Sequence, residues 1–182
     1  ARGRIAEARA TLARLEALAA AAPADASAGA NSLRAVLEVA VPIVAARIAA
    51  SGYRNDAAIA QLREAVAAED RLAADDPPDW FFPARHLLGA QLLEAGHAAQ
   101  AAQVYREDLE RHPDNGWALY GLALALRAQG SRSESKAARR RFEAAWQHAD
   151  VRLTASGFWF PGPDTTSCEC QRRDSLAGTA AR

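Results

Sequence analysis

An internal repeat is the feature that most constrains how this chain can fold. When the sequence is compared with itself at an offset of 34 residues, small or apolar residues match at four positions. The matched pairs are Leu88 and Leu122, Gly89 and Ala123, Leu92 and Leu126, and Gly96 and Gly130. Self-similarity at a period of roughly 20 to 50 residues is typical of proteins that stack one supersecondary unit on the next. The chain is therefore expected to bury its apolar surface between successive units.

The residues between these matches have helical spacing. The first copy continues with Ala101, Tyr105 and Pro113, and in the second copy the following helix is displaced by three residues, with Ala138, Phe142 and Ala145 at the same mutual spacing. A small residue where two helices cross lets their backbones approach, and large residues beside it fill the remaining space. The pattern predicts paired helices that cross at small residues.

Composition favours helix throughout. Half of the residues are apolar, and most of that excess is alanine, while β-branched and aromatic residues are sparse. The 22 basic and 22 acidic residues cancel, so no net field attracts nucleic acid. The most apolar run, Ala35 to Ala50, is shorter than the roughly 20 residues of a membrane span and contains Glu38 and Arg47. We expect an all-α protein without a membrane-spanning helix.

The upstream part, residues 1–75, is less regular. Apolar stripes at steps of three and four predict helices that include Ile5 to Ala19, Leu33 to Ile48 and Ile59 to Leu72. Gly52 is expected to end the second of these in a left-handed conformation, and Asn55 or Asp56 to cap the third. Ala1 falls within a helical pattern, so we expect that residues upstream have been removed. Both a cytoplasmic and a periplasmic location fit the sequence.

The segment "DDPPDWFFP", residues 75–83, joins the two parts. Its prolines disfavour helix at and before each of them, which predicts a rigid, extended corner. Trp80, Phe81 and Phe82 are expected to pack the upstream helices onto the first regular repeat.

The run "LLGAQLLEAGHAAQAAQVYREDLERHPDN", followed by "ALYGLALALRAQG", resembles the tetratricopeptide repeat, and residues 82–149 carry the resemblance. The chain is similar to the C-terminal part of bacterial tetratricopeptide proteins. The resemblance implies a right-handed α-solenoid of antiparallel helix pairs, about seven helices in residues 1–156, followed by an irregular tail, 157–182. One departure is Asp108, where the family usually has alanine.

The resemblance also implies a concave groove lined by the first helix of each pair. The groove residues implied in this chain are His86, Ala90, Leu93, Trp117, Tyr120, Leu124 and Arg127. Aromatic side chains beside an arginine are typical of protein-binding surfaces, which predicts a protein or peptide partner. The alternative for Trp117 is packing against the preceding turn. The asparagine and lysine clamp by which some family members hold a C-terminal carboxylate is not present at matching positions.

Patterns that indicate catalysis are not evident in the sequence. There is no glycine-flanked nucleophile, no glycine-rich phosphate loop and no distinct pair of carboxylates, and the four histidines lack metal-ligand spacing. We therefore expect no catalytic residues and a non-catalytic scaffold.

The tail contains the only two cysteines, Cys168 and Cys170. Two thiolates this close can converge on a soft metal ion; they are an incomplete set for zinc, which takes four ligands, whereas copper(I) tolerates two sulfurs. Metal handling through this pair is the competing function, and an inert tail or cysteines that link a homodimer are the alternatives. "DVRLTAS" is expected to form a short turn over the end of the helical stack, with Phe158, Trp159 and Phe160 packed nearby.

Overall fold

The structure, a computed structural model, describes residues 4–74 and 78–157. Within these ranges most residues are helical and strands are almost absent, which confirms the all-α prediction. The seven helices described are α1 (Ile5–Ala21), α2 (Leu33–Ser51), α3 (Asn55–Glu69), α4 (Ala84–Glu94), α5 (Ala98–Arg111), α6 (Gly116–Ala128) and α7 (Arg132–Ala145). A short hairpin, β1 (Ser27–Ala28) and β2 (Asn31–Ser32), lies between α1 and α2.

The ends of α4 and α6 repeat one another. Gly96 and Gly130 follow these helices with φ of 82° and 80°, a left-handed conformation that glycine adopts without steric cost. The next N–H donates to the carbonyl five residues back, His97 to Leu92 and Ser131 to Leu126, at 2.8 and 2.9 Å. This is the Schellman arrangement of helix ends. The 34-residue repeat seen in the sequence therefore corresponds to a repeat in the backbone.

The turn between α2 and α3 differs from the sequence expectation. Ser32 caps the start of α2, since its hydroxyl accepts from the N–H of Ala35. At the other end Gly52 has φ of −100°, and the left-handed residue is Tyr53, at φ 58°. The predicted left-handed Gly52 is wrong. The predicted cap by Asn55 or Asp56 is also wrong, because α3 already begins at Asn55 and has no side-chain cap hydrogen bond. The side chain of Asn55 accepts from Gln91 instead.

Neighbouring helices run antiparallel. Gln91, near the end of α4, bonds to Asn55 at the start of α3, and Gln129, just after α6, donates to the carbonyl of Ala98 at the start of α5. Each helix packs against the next one along the chain, and α4 also contacts α6. In the described ranges, no helix has the length and apolar character that crossing a membrane requires.

A single apolar cluster runs from α2 to α7. Its most deeply buried members include Val39, Ala58, Leu87 and Leu119. By contrast, none of the residues of α1, all of which the structure describes, is buried. The first helix is therefore held at the edge of the core.

The segment before α4 is tied to the N-terminal hairpin. The side chain of Asn31 donates to the Ala73 carbonyl and to Asp79, and it accepts from the N–H of Ala73. Of the three aromatic residues expected to pack here, Trp80 and Phe82 are packed against the core, but Phe81 is 79% exposed. The predicted packing role of Phe81 is wrong.

Candidate functional site

Tyr105 of α5 forms the centre of the contact between α4 and α6. Its side chain is fully buried, and its ring lies against Gly89 of α4 and Gly121 of α6. A Cβ on either glycine would lie 2.3 Å from Cζ of the ring, closer than real Cβ atoms approach. The two glycines therefore let the ring of α5 reach between the other two helices. We call this contact the α4/α6 seam.

Residues 150–157, which we call the terminal segment, return from the end of α7 to the seam. The hydroxyl of Ser156 is hydrogen-bonded to that of Tyr105, and Ala155, Ser156 and Gly157 are all buried. Nearer its start, the Val151 carbonyl accepts from the indole N–H of Trp146 at 2.7 Å. The tip of Tyr105 lies against the two glycines, so its hydrogen bond brings Ser156 to the α4/α6 seam.

The sequence predicted a different role for this segment. "DVRLTAS" was expected to form a short turn over the end of the stack, and the chain bends at residues 154–157. Its buried residues reach a tyrosine inside the regular repeats, which the sequence did not predict. Phe158, Trp159 and Phe160, expected to pack nearby, lie outside the described residues.

Tyr105 is kept uncharged by its surroundings. Burial raises the pKa of its phenol above the ordinary value, and the nearby Asp108 carboxylate adds to this effect, while the hydrogen bond from Ser156 opposes it. Either hydroxyl can donate in the bond between the two residues. The seam thus offers a neutral hydroxyl that has to be paired, since a buried unpaired one costs about 1 to 3 kcal/mol.

The residues predicted to line the groove differ in accessibility. His86 and Ala90 are only 1% and 6% exposed, and neither has the free surface that a partner needs. Leu93 and Leu124 are partly buried, and Arg127 is exposed. The accessible part of the predicted groove is accordingly smaller than the sequence indicated.

Trp117 and Tyr120, the two aromatic groove candidates, lie in a continuous row of rings. Edge contacts join Phe82 to Trp117 and Trp117 to Trp146, with centroids 5.8 and 6.2 Å apart. Phe142 stacks on Trp146 at 5.8 Å and meets Tyr120 at 5.3 Å. Trp117 therefore packs against rings from α7 and from the segment before α4, and both candidates also help to hold the helices together.

A buried polar group lies beside the seam. His86 Nε2 and Asp108 Oδ2 are 3.3 Å apart, and Asn115 Nδ2 donates to the same carboxylate oxygen at 3.1 Å. Among the described residues Nδ1 of His86 has no hydrogen-bond partner. Asn115 Nδ2 also lies 3.0 Å from Nε2 of His86, so this ring nitrogen donates to Asp108 in one tautomer and accepts from Asn115 in the other. Asn115 also caps α6 through the Trp117 N–H.

A second group of charges joins the end of α3 to the start of α4. Both terminal nitrogens of Arg85 donate to the carboxylate of Asp70, at 2.6 and 2.7 Å, and Arg111 pairs with the same carboxylate. The hydrogen bond from Arg85 is the main cause that lowers the pKa of Asp70. Next to it Glu69 accepts from the Ala84 N–H, and burial raises the pKa of Glu69 to about 7.

Sequence reasoning missed the centre of this site. In the sequence, Asp108 differs from the alanine that the tetratricopeptide repeat usually has at this position. In the structure, its carboxylate pairs with His86 and accepts from Asn115. The pairing of Tyr105 with Ser156 joins residues 51 positions apart, and no local pattern signals it. Within the described residues no cluster of three or more His, Cys, Asp or Glu is placed to hold a metal ion. Cys168 and Cys170 lie outside those residues.

The chain was also compared with known proteins. No family model, no curated protein and no solved structure matches it.

Proposed function

We propose that this protein is a non-catalytic binding module, a right-handed solenoid of tetratricopeptide-like repeats that holds a short non-helical segment of a protein on the α4/α6 face. By this face we mean the surface of α4 and α6 that continues from the tip of the Tyr105 side chain. The observation that supports the proposal is the terminal segment itself, because a non-helical stretch of chain meets this tip with three consecutive residues buried.

The accessible residues of the face suit such a partner. Leu93 and Leu124 offer apolar surface that is partly exposed, and Arg127 is exposed one helical turn after Leu124 on α6. Apolar contacts supply most of the affinity of an extended peptide, while a cation with several donors can bind its carbonyl oxygens. The face combines both features within a few turns of two adjacent helices.

A selection from random peptides displayed on phage tests this proposal. Full-length protein is immobilised and the peptides it retains are measured against Leu124→Arg, which places a bulky charge on the face. Ala137→Arg is the matched control, because Ala137 is exposed on α7. Peptides retained by the wild-type protein are expected to bind Leu124→Arg at least tenfold more weakly and Ala137→Arg unchanged. Thermal melts check that both variants fold.

Two results would contradict the proposal. One is a selection that enriches no peptide even when Ala155→Asp has displaced the terminal segment; the other is a set of enriched peptides that bind Leu124→Arg and Ala137→Arg equally well. Replacing Trp117 and Tyr120 by alanine is a weaker test, because both rings belong to the aromatic row and their loss would destabilise the fold.

A further inference from the structure

Resting on the proposed function, we infer that the α4/α6 face selects a segment with a small residue, a hydroxyl residue and a glycine in succession and with no acidic group at these positions, and that the chain's own terminal segment competes for this site. The inference specifies the kind of partner. It also implies that the terminal segment occupies the site in the isolated protein.

The preference for small residues follows from burial. Ala155 is 9% exposed and Ser156 is 1% exposed, and Gly157 after them is also buried, whereas Thr154 before them is exposed. Interiors are packed closely enough that one added methylene is felt, so three consecutive buried positions admit only small side chains. A larger residue in the middle would have to displace Tyr105 or one of the two helices.

The need for a hydroxyl follows from Tyr105. The phenol is fully buried, and Ser156 is the partner of its hydroxyl. An alanine at the same place in a ligand would leave that hydroxyl unpaired, which costs about tenfold in affinity or more. Serine or threonine in the bound segment removes this cost.

The exclusion of acidic groups follows from burial and from the acid on α5. Asp108 lies one helical turn after Tyr105 and is 2% exposed, and Ser156 is 1% exposed. A carboxylate or phosphate at the position of Ser156 would be desolvated on the same seam as this carboxylate. Acidic and phosphorylated segments are therefore expected to be rejected.

The terminal segment competes with a free peptide because it is covalently joined to α7. Ser156 is joined to the end of α7 at Ala145 by only a short stretch of chain, so the terminal segment is present at an effective concentration of about millimolar. A free peptide of moderate affinity cannot displace it at ordinary concentrations. Weakening the terminal segment should open the site.

The test uses a fluorescently labelled peptide, acetyl-VRLTASG-amide, which copies residues 151–157, titrated into the full-length protein by fluorescence anisotropy. Ala155→Asp places a charge at a buried position of the terminal segment, and Thr154→Asp, the matched control, places the same charge at the exposed neighbouring position. We expect Ala155→Asp to bind the peptide at least tenfold more tightly than the wild-type protein, and Thr154→Asp to behave as wild type. A peptide with alanine in place of its serine is expected to bind about tenfold more weakly.

Equal binding by wild-type protein, Ala155→Asp and Thr154→Asp would overturn the inference. If Ala155→Asp fails to fold, Ser156→Ala serves as the second variant, since it removes only the hydroxyl, and it must still gain about tenfold in affinity for the peptide. Failure of this inference can be distinguished from failure of the proposed function. Phage selection on the opened variant that enriches peptides of other composition refutes this inference and leaves peptide binding intact, whereas a selection that enriches none refutes both.

Discussion

The α2–α3 pair and the α4–α6 group have differently built interiors. Between α2 and α3 the buried side chains are apolar, among them Val39, Ile43 and Leu62. The second region buries polar side chains as well, including His86 and Asp108. Apolar packing tolerates exchange of one side chain for another of similar size, whereas a buried polar group needs a particular partner. The second region is thus the one in which single residues determine a specific arrangement.

The steric fit of Tyr105 gives the largest expected difference between the two regions. Gly89→Ala places a Cβ 2.3 Å from the ring of the fully buried Tyr105, whereas Gly52→Ala, in the turn after α2, places its Cβ no closer than 3.5 Å to any atom. We expect Gly89→Ala to lower the free energy of unfolding by about 3 to 4 kcal/mol and Gly52→Ala to change it by less than about 1 kcal/mol. Urea denaturation measures both, and equal effects would contradict the described fit.

The buried hydrogen-bond group gives the next largest effect. Asp108→Ala removes the carboxylate that pairs with His86 and accepts from Asn115, and the expected loss is about 3 kcal/mol of unfolding free energy. Glu110→Ala, an exposed acid on the same helix, is the control, with an expected change below about 0.5 kcal/mol. Should Asp108→Ala prove as mild as the control, the carboxylate would not be stabilising this region.

The residues in these two predictions also show which features of the structure could be predicted from the sequence alone. Helix positions and the repeat were predictable, because apolar spacing and glycine act locally, and Gly96 and Gly130 end their helices as such a repeat requires. The burial of His86 was not predictable from spacing, since it depends on Asp108, a residue of another helix. The docking of Ser156 depends on tertiary contact alone. Local patterns indicated the scaffold, and the site arises from long-range contacts.

Glu69, at the junction of the two regions, predicts a dependence on pH. Its folded pKa of about 7 lies above the ordinary 4.5, so between these values the folded state holds a proton that the unfolded state has lost. The unfolding free energy therefore falls as pH rises through this range, by about 2 to 3 kcal/mol. Glu69→Gln should remove this slope, and Glu64→Gln, at an exposed site on the same helix, should keep it.

Urea denaturation at a series of pH values above 4.5 measures the slope. The range avoids Asp70, whose pKa Arg85 lowers from the ordinary 3.8, because the stabilising charge of Asp70 is lost only in stronger acid. A slope that persists in Glu69→Gln would show that another group is responsible.

The smallest effect is expected in α1. Leu18 is 63% exposed, and the helix contributes no buried residue within the described structure. Leu18→Gln should change the unfolding free energy by less than about 0.5 kcal/mol, whereas Leu119→Ala, at a fully buried position of α6, should lower it by about 3 kcal/mol. A large effect of Leu18→Gln in denaturation would show that α1 buries more surface than described.

The most direct test of the proposed binding face is amide hydrogen exchange on the full-length protein. Ala155→Asp is expected to speed exchange in residues 150–157 and in α4 and α6, and not in α2 or α3, and added acetyl-VRLTASG-amide should restore the protection of α4 and α6 alone. Unchanged exchange in α4 and α6 on substitution, or protection by the peptide at some other part of the chain, would contradict the assignment of the α4/α6 face as the site that binds a short non-helical segment.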